Sequence, residues 1–132
     1  MENTTSLMLN GLVHFKEGRL AQAKAVFELV ARLEQENPYV NGILGAIYQK
    51  EGMLDRALQA LTRALEIVPD NISYLCSRGE IYLRLGDFGL AAEDFRHAIL
   101  LDPKKVHPAA NCARLLVTFA HHSLHNVIRR SA

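Results

Sequence analysis

The sequence predicts an all-α fold of three stacked helix-turn-helix units and a closing helix. Residues recur at a spacing of 34, apolar residues follow helical spacing within each interval, and glycine or proline separates the helical stretches. A period of this length is typical of repeat proteins, whose units are each too small to bury their own apolar face. The recurring columns are Gly11, Gly45 and Gly79; Gly18, Gly52 and Gly86; Ala23, Ala57 and Ala91; and Phe27, Leu61 and Phe95.

The period divides the 132 residues into units at 4–37, 38–71 and 72–105, followed by a tail at 106–132. Within the units, Gly18, Gly52 and Gly86 predict tight reversals, because glycine readily adopts the left-handed conformation that ends a helix. Between the units, proline beside aspartate or asparagine predicts helix ends and caps. At this length we expect residues 1–132 to form one domain.

Three further glycines lie inside the predicted helices. Gly11, Gly45 and Gly79 hold the same repeat position, where a helical glycine costs about 1 kcal/mol relative to alanine. A cost repeated in every unit predicts that a second helix approaches closely at this point.

The tail predicts one more helix, from Pro108 to about Arg130. Its apolar stripe is expected to close the open end of the stack. Leu115 and Phe119 lie off that stripe, and two interpretations stay open: burial under a neighbouring helix, or exposure as an adhesive surface. The stripe comprises Ala109, Cys112, Ala113, Leu116, Ala120, Leu124 and Val127.

The overall charge favours neither nucleic acid nor membrane as a partner. The chain carries 15 basic and 14 acidic residues, but residues 103–132 hold five cations and no acid. The first 102 residues hold 10 basic and 14 acidic residues, a balance of −4. This asymmetry has two interpretations, an acidic or anionic partner for the tail or simply a solvated helix face.

The cysteines and the amino terminus predict a cytoplasmic location without membrane insertion. Cys76 and Cys112 lie on separate predicted helices with no disulfide or metal spacing, so both are expected to pack as small apolar residues in a reducing compartment. The first residues lack the basic segment and apolar run of an export signal. No stretch approaches the roughly 20 apolar residues of a membrane span.

Catalysis, metal binding and cofactors are not expected. His121 and His125 are one helical turn apart, but no cysteine or acid lies near them, and Arg129 and Arg130 would repel a cation. No cysteine or histidine pairing predicts a nucleophile, and no glycine-rich phosphate loop follows a strand. The adjacent acids Glu93 and Asp94 are expected to face different directions on a helix, and Glu93 with Arg96 or His97 is interpreted as ordinary surface charge.

These columns resemble those of the tetratricopeptide repeat. Unit two contains Leu44-Gly45-Ala46-Ile47-Tyr48 and unit three contains Arg78-Gly79-Glu80-Ile81-Tyr82, each followed by the repeat's alanine, aromatic or leucine, and proline positions. Unit one departs from the pattern at His14, Asn10 and Gln35, as an end repeat would. The resemblance covers residues 4–105 and implies a right-handed superhelix of three repeats with a C-terminal capping helix.

In this family the first helix of each repeat lines a concave, peptide-binding groove. The resemblance therefore implies a set of groove residues, one group from each unit. They are Met8, Leu9, Leu12, Phe15 and Lys16; Tyr39, Ile43, Ala46, Gln49 and Lys50; and Ser73, Cys76, Ser77, Glu80, Leu83 and Arg84.

The expected groove is apolar, with cations along one edge. Family members that grip a chaperone's carboxyl terminus use basic and amide side chains in columns that here hold Met8, Leu12, Ile43, Ser73 and Ser77. None of these five residues is basic, and none can hold a carboxylate fork. The expected ligand is an extended or helical apolar segment of another protein. The alternative is a groove covered by the terminal helix or by the start of the chain.

A narrower resemblance is to the chaperones of bacterial type III secretion systems, which bind hydrophobic subunits before export. It rests on Phe15-Lys16-Glu17-Gly18-Arg19-Leu20-Ala21-Gln22-Ala23 and on residues 44–52. The chain is therefore expected to be a binding chaperone and not an enzyme. The alternative is a self-associating scaffold or adaptor, a homodimer formed through Leu7, Leu9 or Phe119.

Overall fold

A computed structural model describes residues 3–131, which form seven α-helices joined by short turns, with no strand in that range. The predicted all-α fold of three helix pairs and a closing helix is confirmed. The described part of the chain forms two compact units, unit 1 ending at Ile67 and unit 2 beginning at Val68, and the expected single domain stays a prediction. Unit 1 contains α1 (Thr4–Lys16), α2 (Leu20–Leu33), α3 (Pro38–Lys50) and α4 (Leu54–Ile67); unit 2 contains α5 (Ile72–Leu85), α6 (Phe88–Leu100) and α7 (Pro108–Ser131).

An asparagine caps the first helix of every pair. The side-chain oxygen of Asn3 accepts a hydrogen bond from the amide of Ser6, that of Asn37 from Tyr39 and Val40, and that of Asn71 from Tyr74. Each bond satisfies an amide that the first helical turn leaves without a backbone partner. The three caps also recur at a spacing of 34, so the period that sets the core positions sets the helix starts.

The expected left-handed turns are confirmed. Gly18, Gly52 and Gly86 have φ angles of 79°, 76° and 81°. A Cβ added to any of the three would meet nothing within 4 Å. Glycine is therefore needed there for its backbone conformation and not for space.

The interior glycines permit the close helix approach that their spacing predicts. A Cβ on Gly11, Gly45 or Gly79 would lie 2.8, 2.7 or 2.6 Å from a core side chain of the second helix. Those side chains are Phe27, Leu61 and Phe95, all buried. Around them lie Val30, Val40, Ile47 and Ala64 in unit 1, and Leu75, Ile81, Ala91 and Ala98 in unit 2.

The stripe predicted for the closing helix is partly wrong. Ala113 and Ala120 are buried, but Cys112 and Val127 are exposed, and Ala110 is buried instead. Helix α7 contacts both α5 and α6. Leu124 lies opposite Gly89, which is in the first turn of α6. Val127, almost one turn further along α7, therefore lies beyond the start of α6 and is not covered by it. Leu115 and Phe119 are 77% and 58% exposed, so they are not buried under a neighbouring helix.

The adjacent acids Glu93 and Asp94 differ in burial, because Glu93 is exposed and Asp94 is buried. The Asp94 carboxylate accepts hydrogen bonds from Nε and Nη2 of Arg78, both at 2.8 Å. The hydrogen bond to Asp94 is the main cause that raises the pKa of the Arg78 guanidinium.

None of the helices described for residues 3–131 combines the length and the apolar character that crossing a membrane requires.

Candidate protein-binding surface

Apolar side chains of α1 and α3 form a surface on unit 1, here called the unit-1 face. Two contacts join these helices. Asn37 Nδ2 lies 3.8 Å from Met8 Sδ, and Lys50 Nζ lies 6.0 Å from the centre of the Phe15 ring. All members are half-buried except Leu9, which is 60% exposed. The unit-1 face consists of Met8, Leu9, Leu12, Phe15, Ile43 and Ala46.

Met8, Leu12 and Phe15 follow one another at helical spacing on α1. Met8 and Phe15 lie three residues before and four residues after Gly11, whose side of the helix packs against Phe27. Both side chains therefore flank the packed side of α1 and are half-buried. An apolar surface of this kind on a folded protein usually marks an interaction site.

Polar and charged groups border the unit-1 face. Lys16 and Lys50 are exposed, Gln49 is half-buried, and Tyr39 is 61% exposed. The placement of Lys50 over the Phe15 ring allows a cation–π contact, which contributes about 0.5–1 kcal/mol at an exposed site. The border therefore adds positive charge to the apolar face, with the Lys50 ammonium over the Phe15 ring.

The sequence-predicted residues of unit 2 all lie on α5 and are more polar. Ser73 and Arg84 are exposed, and Ser77, Glu80 and Leu83 are half-buried. That the residues of either unit bind a ligand stays a prediction.

Cys76 differs from its expected place on an open groove. Its side chain is 4% exposed, and Sγ donates a hydrogen bond to the carbonyl oxygen of Ala109 at the start of α7. Burial, more than the nearby carboxylates, raises the pKa of this thiol to about 12. The expected apolar packing thus holds for Cys76, whereas it is wrong for the exposed Cys112.

A recess of about 430 Å³ on unit 1 was not anticipated from the sequence. At its base, the Tyr48 hydroxyl donates to Glu28 Oε1 at 2.8 Å, and Arg56 lies over the Tyr48 ring. Burial, followed by the Glu28 carboxylate, raises the pKa of that phenol. The recess is lined by Asn41, Leu44, Tyr48, Arg56, Gln59, Ala60 and Arg63.

Among the described residues no group of three histidine, cysteine or acidic side chains is placed to hold a metal ion. His121, half of the pair considered from the sequence, instead contacts the guanidinium of Arg96.

The model of the tetratricopeptide repeat family matches residues 44–124, more than half of the chain. Among curated proteins, peptidyl-prolyl cis-trans isomerase FKBP4 of Homo sapiens is 30% identical over 118 residues. That alignment covers 78% of this chain and 26% of the relative. The chain thus spans about a quarter of the length of this relative.

Two solved structures share the fold. The type III secretion translocator chaperone SycD of Yersinia enterocolitica has a TM-score of 0.85 at 16% identity, covering 92% of this chain and 85% of SycD. The first repeat domain of Spaghetti (RPAP3), bound to the HSP90 peptide SRMEEVD, has a TM-score of 0.82 at 16% identity, covering 92% and 93%. At such identities the likeness shows the fold alone.

Proposed function

Because this chain belongs to the tetratricopeptide repeat family, we propose that it is a cytoplasmic chaperone that binds an apolar segment of another protein on the unit-1 face. Repeats of this family are protein-interaction modules and generally have no catalytic activity. The chain is accordingly an interaction module, and we assign it no enzymatic reaction. The observation on which the proposal rests is the apolar character of the unit-1 face.

The energetics favour an apolar ligand. Each ligand side chain of leucine size that is buried on Met8, Leu12 and Phe15 would contribute roughly 1.5–3 kcal/mol, before the cost of association. Several anchors are therefore needed, because association itself costs about 4–15 kcal/mol. An extended or helical segment can present anchors at the spacing of the α1 and α3 side chains.

The same residues disfavour a ligand recognised through its terminal carboxylate. A carboxylate needs basic or amide donors in the groove. Met8, Leu12 and Ile43 stand in those columns here, and none of them can donate a hydrogen bond from its side chain. Lys16 and Lys50 lie at the border, where they would tolerate acidic residues that flank an apolar anchor.

Within this class we propose a hydrophobic subunit of a secretion system as the ligand. The structural likeness to the translocator chaperone SycD supports this choice, together with the residues 15–23 and 44–52 that resemble such chaperones. A chaperone of this kind keeps its ligand from aggregating before export by covering its apolar segment.

Co-expression with a hydrophobic translocator subunit tests the proposal. We expect a soluble complex with the wild-type chain and none with Leu12→Asp or Ile43→Asp, because each variant places a charge on the unit-1 face. Leu100→Asp is the matched control, since Leu100 is 79% exposed on α6. Undiminished complex formation in both unit-1 variants would refute the proposal.

A self-associating scaffold is the second candidate. Leu9 and Val13, one turn apart on α1, are both more than half exposed, whereas the equivalent residues of α3 are Ile43, half-buried, and Ile47, fully buried. This open side of α1 can pair with a second copy of the chain. Sedimentation equilibrium tests it: the scaffold requires a dimer that Leu9→Asp dissociates, and a monomer throughout the micromolar range excludes it.

A further inference from the structure

Helix α7 begins as the first helix of a repeat does. The His107 Nδ1 atom accepts a hydrogen bond from the Ala109 amide at 3.1 Å, as the Asn37 side chain does from Tyr39 at 3.0 Å. The His107 carbonyl accepts from the amide of Asn111, four residues on, as every asparagine cap does in its own helix. His107 therefore occupies the cap position of a fourth first helix.

Counting from the caps shows which side of α7 lacks a neighbour. The eighth residue after Asn3, Asn37 and Asn71 is the glycine against which the second helix packs. The eighth residue after His107 is Leu115, which is 77% exposed. In α7 the side that a second helix covers elsewhere thus faces solvent.

The same count explains why α7 contains no reversal at the point where α1, α3 and α5 end. The fifteenth residue after each asparagine cap is the left-handed glycine that reverses the chain. The fifteenth residue after His107 is His122, and the helix continues without a turn to Ser131. Within residues 3–131, no element of the chain returns to cover Leu115.

The uncovered side is a single stripe, here called the α7 face. Its members alternate at spacings of three and four residues, which places them on one side of a helix. Its first half is apolar, and Asn126, Arg129 and Arg130 line a recess in its second half. The α7 face consists of Cys112, Leu115, Phe119, His122, Asn126 and Arg129.

The segment that holds α7 carries only positive charge: residues 103–132 contain five cations and no acid. Arg114 is bound to the Asp102 carboxylate at 3.2 Å, Lys104 and Lys105 precede the helix, and Arg129 and Arg130 lie in its last turn. Arg129 and Arg130 therefore place positive charge at the second half of the α7 face. A second copy of α7 would be repelled, whereas an acidic partner would be attracted.

We propose that the α7 face binds an amphipathic helix of a partner protein, with apolar residues opposite Leu115 and Phe119 and acidic residues opposite Arg129 and Arg130. A helix is the expected occupant because a helix covers the same side of α1, α3 and α5. Leu115 projects where those helices have glycine. The partner helix therefore carries a small residue opposite it.

A yeast-displayed library of helical peptides of about 18 residues, or five turns, tests this proposal. The library, randomised on one face, is sorted against the full chain. We expect the enriched helices to combine apolar and small residues at helical spacing with acidic residues toward one end. Their affinity is expected to fall at least about tenfold for Leu115→Glu and for Phe119→Glu.

Two controls separate binding on this face from other effects. Leu100→Glu, an equally exposed leucine outside the α7 face, is expected to leave the affinity unchanged. In the wild-type chain, a bound helix is expected to slow alkylation of Cys112, because that thiol is exposed on the face whereas Cys76 is buried.

Several outcomes would overturn the proposal. They are a library that enriches no helix, enriched helices without an excess of acids, or helices that bind Leu115→Glu and Phe119→Glu as tightly as the wild type. A dimer of the chain that dissociates in Leu115→Glu would show that a second copy occupies the face, which also contradicts it.

Discussion

The pairs α3–α4 and α5–α6 place different residues at the same point. Leu44 and Ala60 in unit 1 correspond, 34 residues on, to Arg78 and Asp94 in unit 2. In α3–α4 the two apolar side chains line a recess of about 430 Å³. In α5–α6 the guanidinium and the buried carboxylate form two hydrogen bonds of 2.8 Å.

This difference shows which columns determine the fold and which determine the surface. Both pairs keep the interior glycine, the turn glycine and the large residue of the second helix, so the backbones follow the same path. The residues beside those columns are free to vary, and they decide whether a site is apolar, recessed or filled by an ion pair. Function is therefore to be sought in the variable columns.

Breaking the Arg78–Asp94 ion pair of unit 2 is expected to destabilise the protein more than any other change proposed below. Arg78→Leu leaves the Asp94 carboxylate buried without its cation, and loss of one partner of a buried pair costs about 3–5 kcal/mol. Urea denaturation measures the free energy of unfolding. The matched control is Arg63→Leu, which removes an exposed bond of 3.1 Å to Glu36 and is expected to cost less than about 1 kcal/mol. Equal losses in the two variants would contradict this account of Asp94.

A double replacement gives unit 2 the residues of unit 1. Arg78→Leu combined with Asp94→Ala removes both charges, and replacing a whole buried pair by apolar residues is often neutral or stabilising. We therefore expect most of the stability lost in Arg78→Leu to return. A double variant as unstable as the single one would show that the pair is needed for packing and not only for charge compensation.

The interior glycines offer a smaller effect that also compares the units. Gly79→Ala drives a Cβ to 2.6 Å from the Phe95 ring, and overpacking of this kind costs about 1–3 kcal/mol. Gly45→Ala is expected to cost less, because the branched side chain of Leu61 can change rotamer more easily than a buried ring. Thermal unfolding ranks the two.

Gly89→Ala is the control for both glycine variants. The nearest atom to its added Cβ is 3.9 Å away, an ordinary van der Waals contact. This variant is expected to be neutral or stabilising, because alanine is the better helix former. A Gly79→Ala variant as stable as the control would refute the close approach of α5 and α6.

The smallest effect is a dependence of the folding stability on pH through Asp102, which lies between α6 and α7. Burial alone would raise the pKa of Asp102, but the His107 amide, then Arg114 and the Val106 amide, outweigh it and lower the pKa below its ordinary value of 3.8. The stability from this lowered pKa is present above pH 3.8 and is lost as the pH falls through the folded-state value.

Asp102→Asn isolates this contribution. Glu34 in unit 1 also has a lowered pKa, from the Thr4 hydroxyl and then the Asn37 amide, so acid weakens the wild type at two places. Circular dichroism at neutral and acidic pH is expected to show a smaller acid-induced loss in Asp102→Asn than in the wild type. Identical losses would exclude Asp102 as a contributor.

The backbone plan was largely predictable from the sequence, and the side-chain partnerships were not. The turns at Gly18 and Gly52 and the contact of Gly45 with Leu61 follow from the period, because only glycine satisfies those local requirements. The pairing of Arg78 with Asp94 depends on how two helices face each other, which the period does not specify.

The exposed surfaces were likewise predictable in part, where the repeat period holds, and missed where it does not. Leu12 and Ile43 were predicted to lie on one face, and the structure places them on neighbouring helices of unit 1 with the side chains half-buried. The exposure of Cys112 was missed because the tail does not keep the period. Its cap is His107 and not an asparagine at the expected spacing, so the helix starts two residues later than the repeat predicts.

Binding of an apolar segment on unit 1, through α1 and α3, can be located by NMR. An apolar translocator peptide is titrated into the isotopically labelled chain while the amide chemical shifts are recorded. We expect concentration-dependent shift changes concentrated in residues 8–16 and 39–50, and their disappearance in Leu12→Asp. Saturable changes confined to unit 2, with α1 and α3 unaffected, would rule out binding on the unit-1 face.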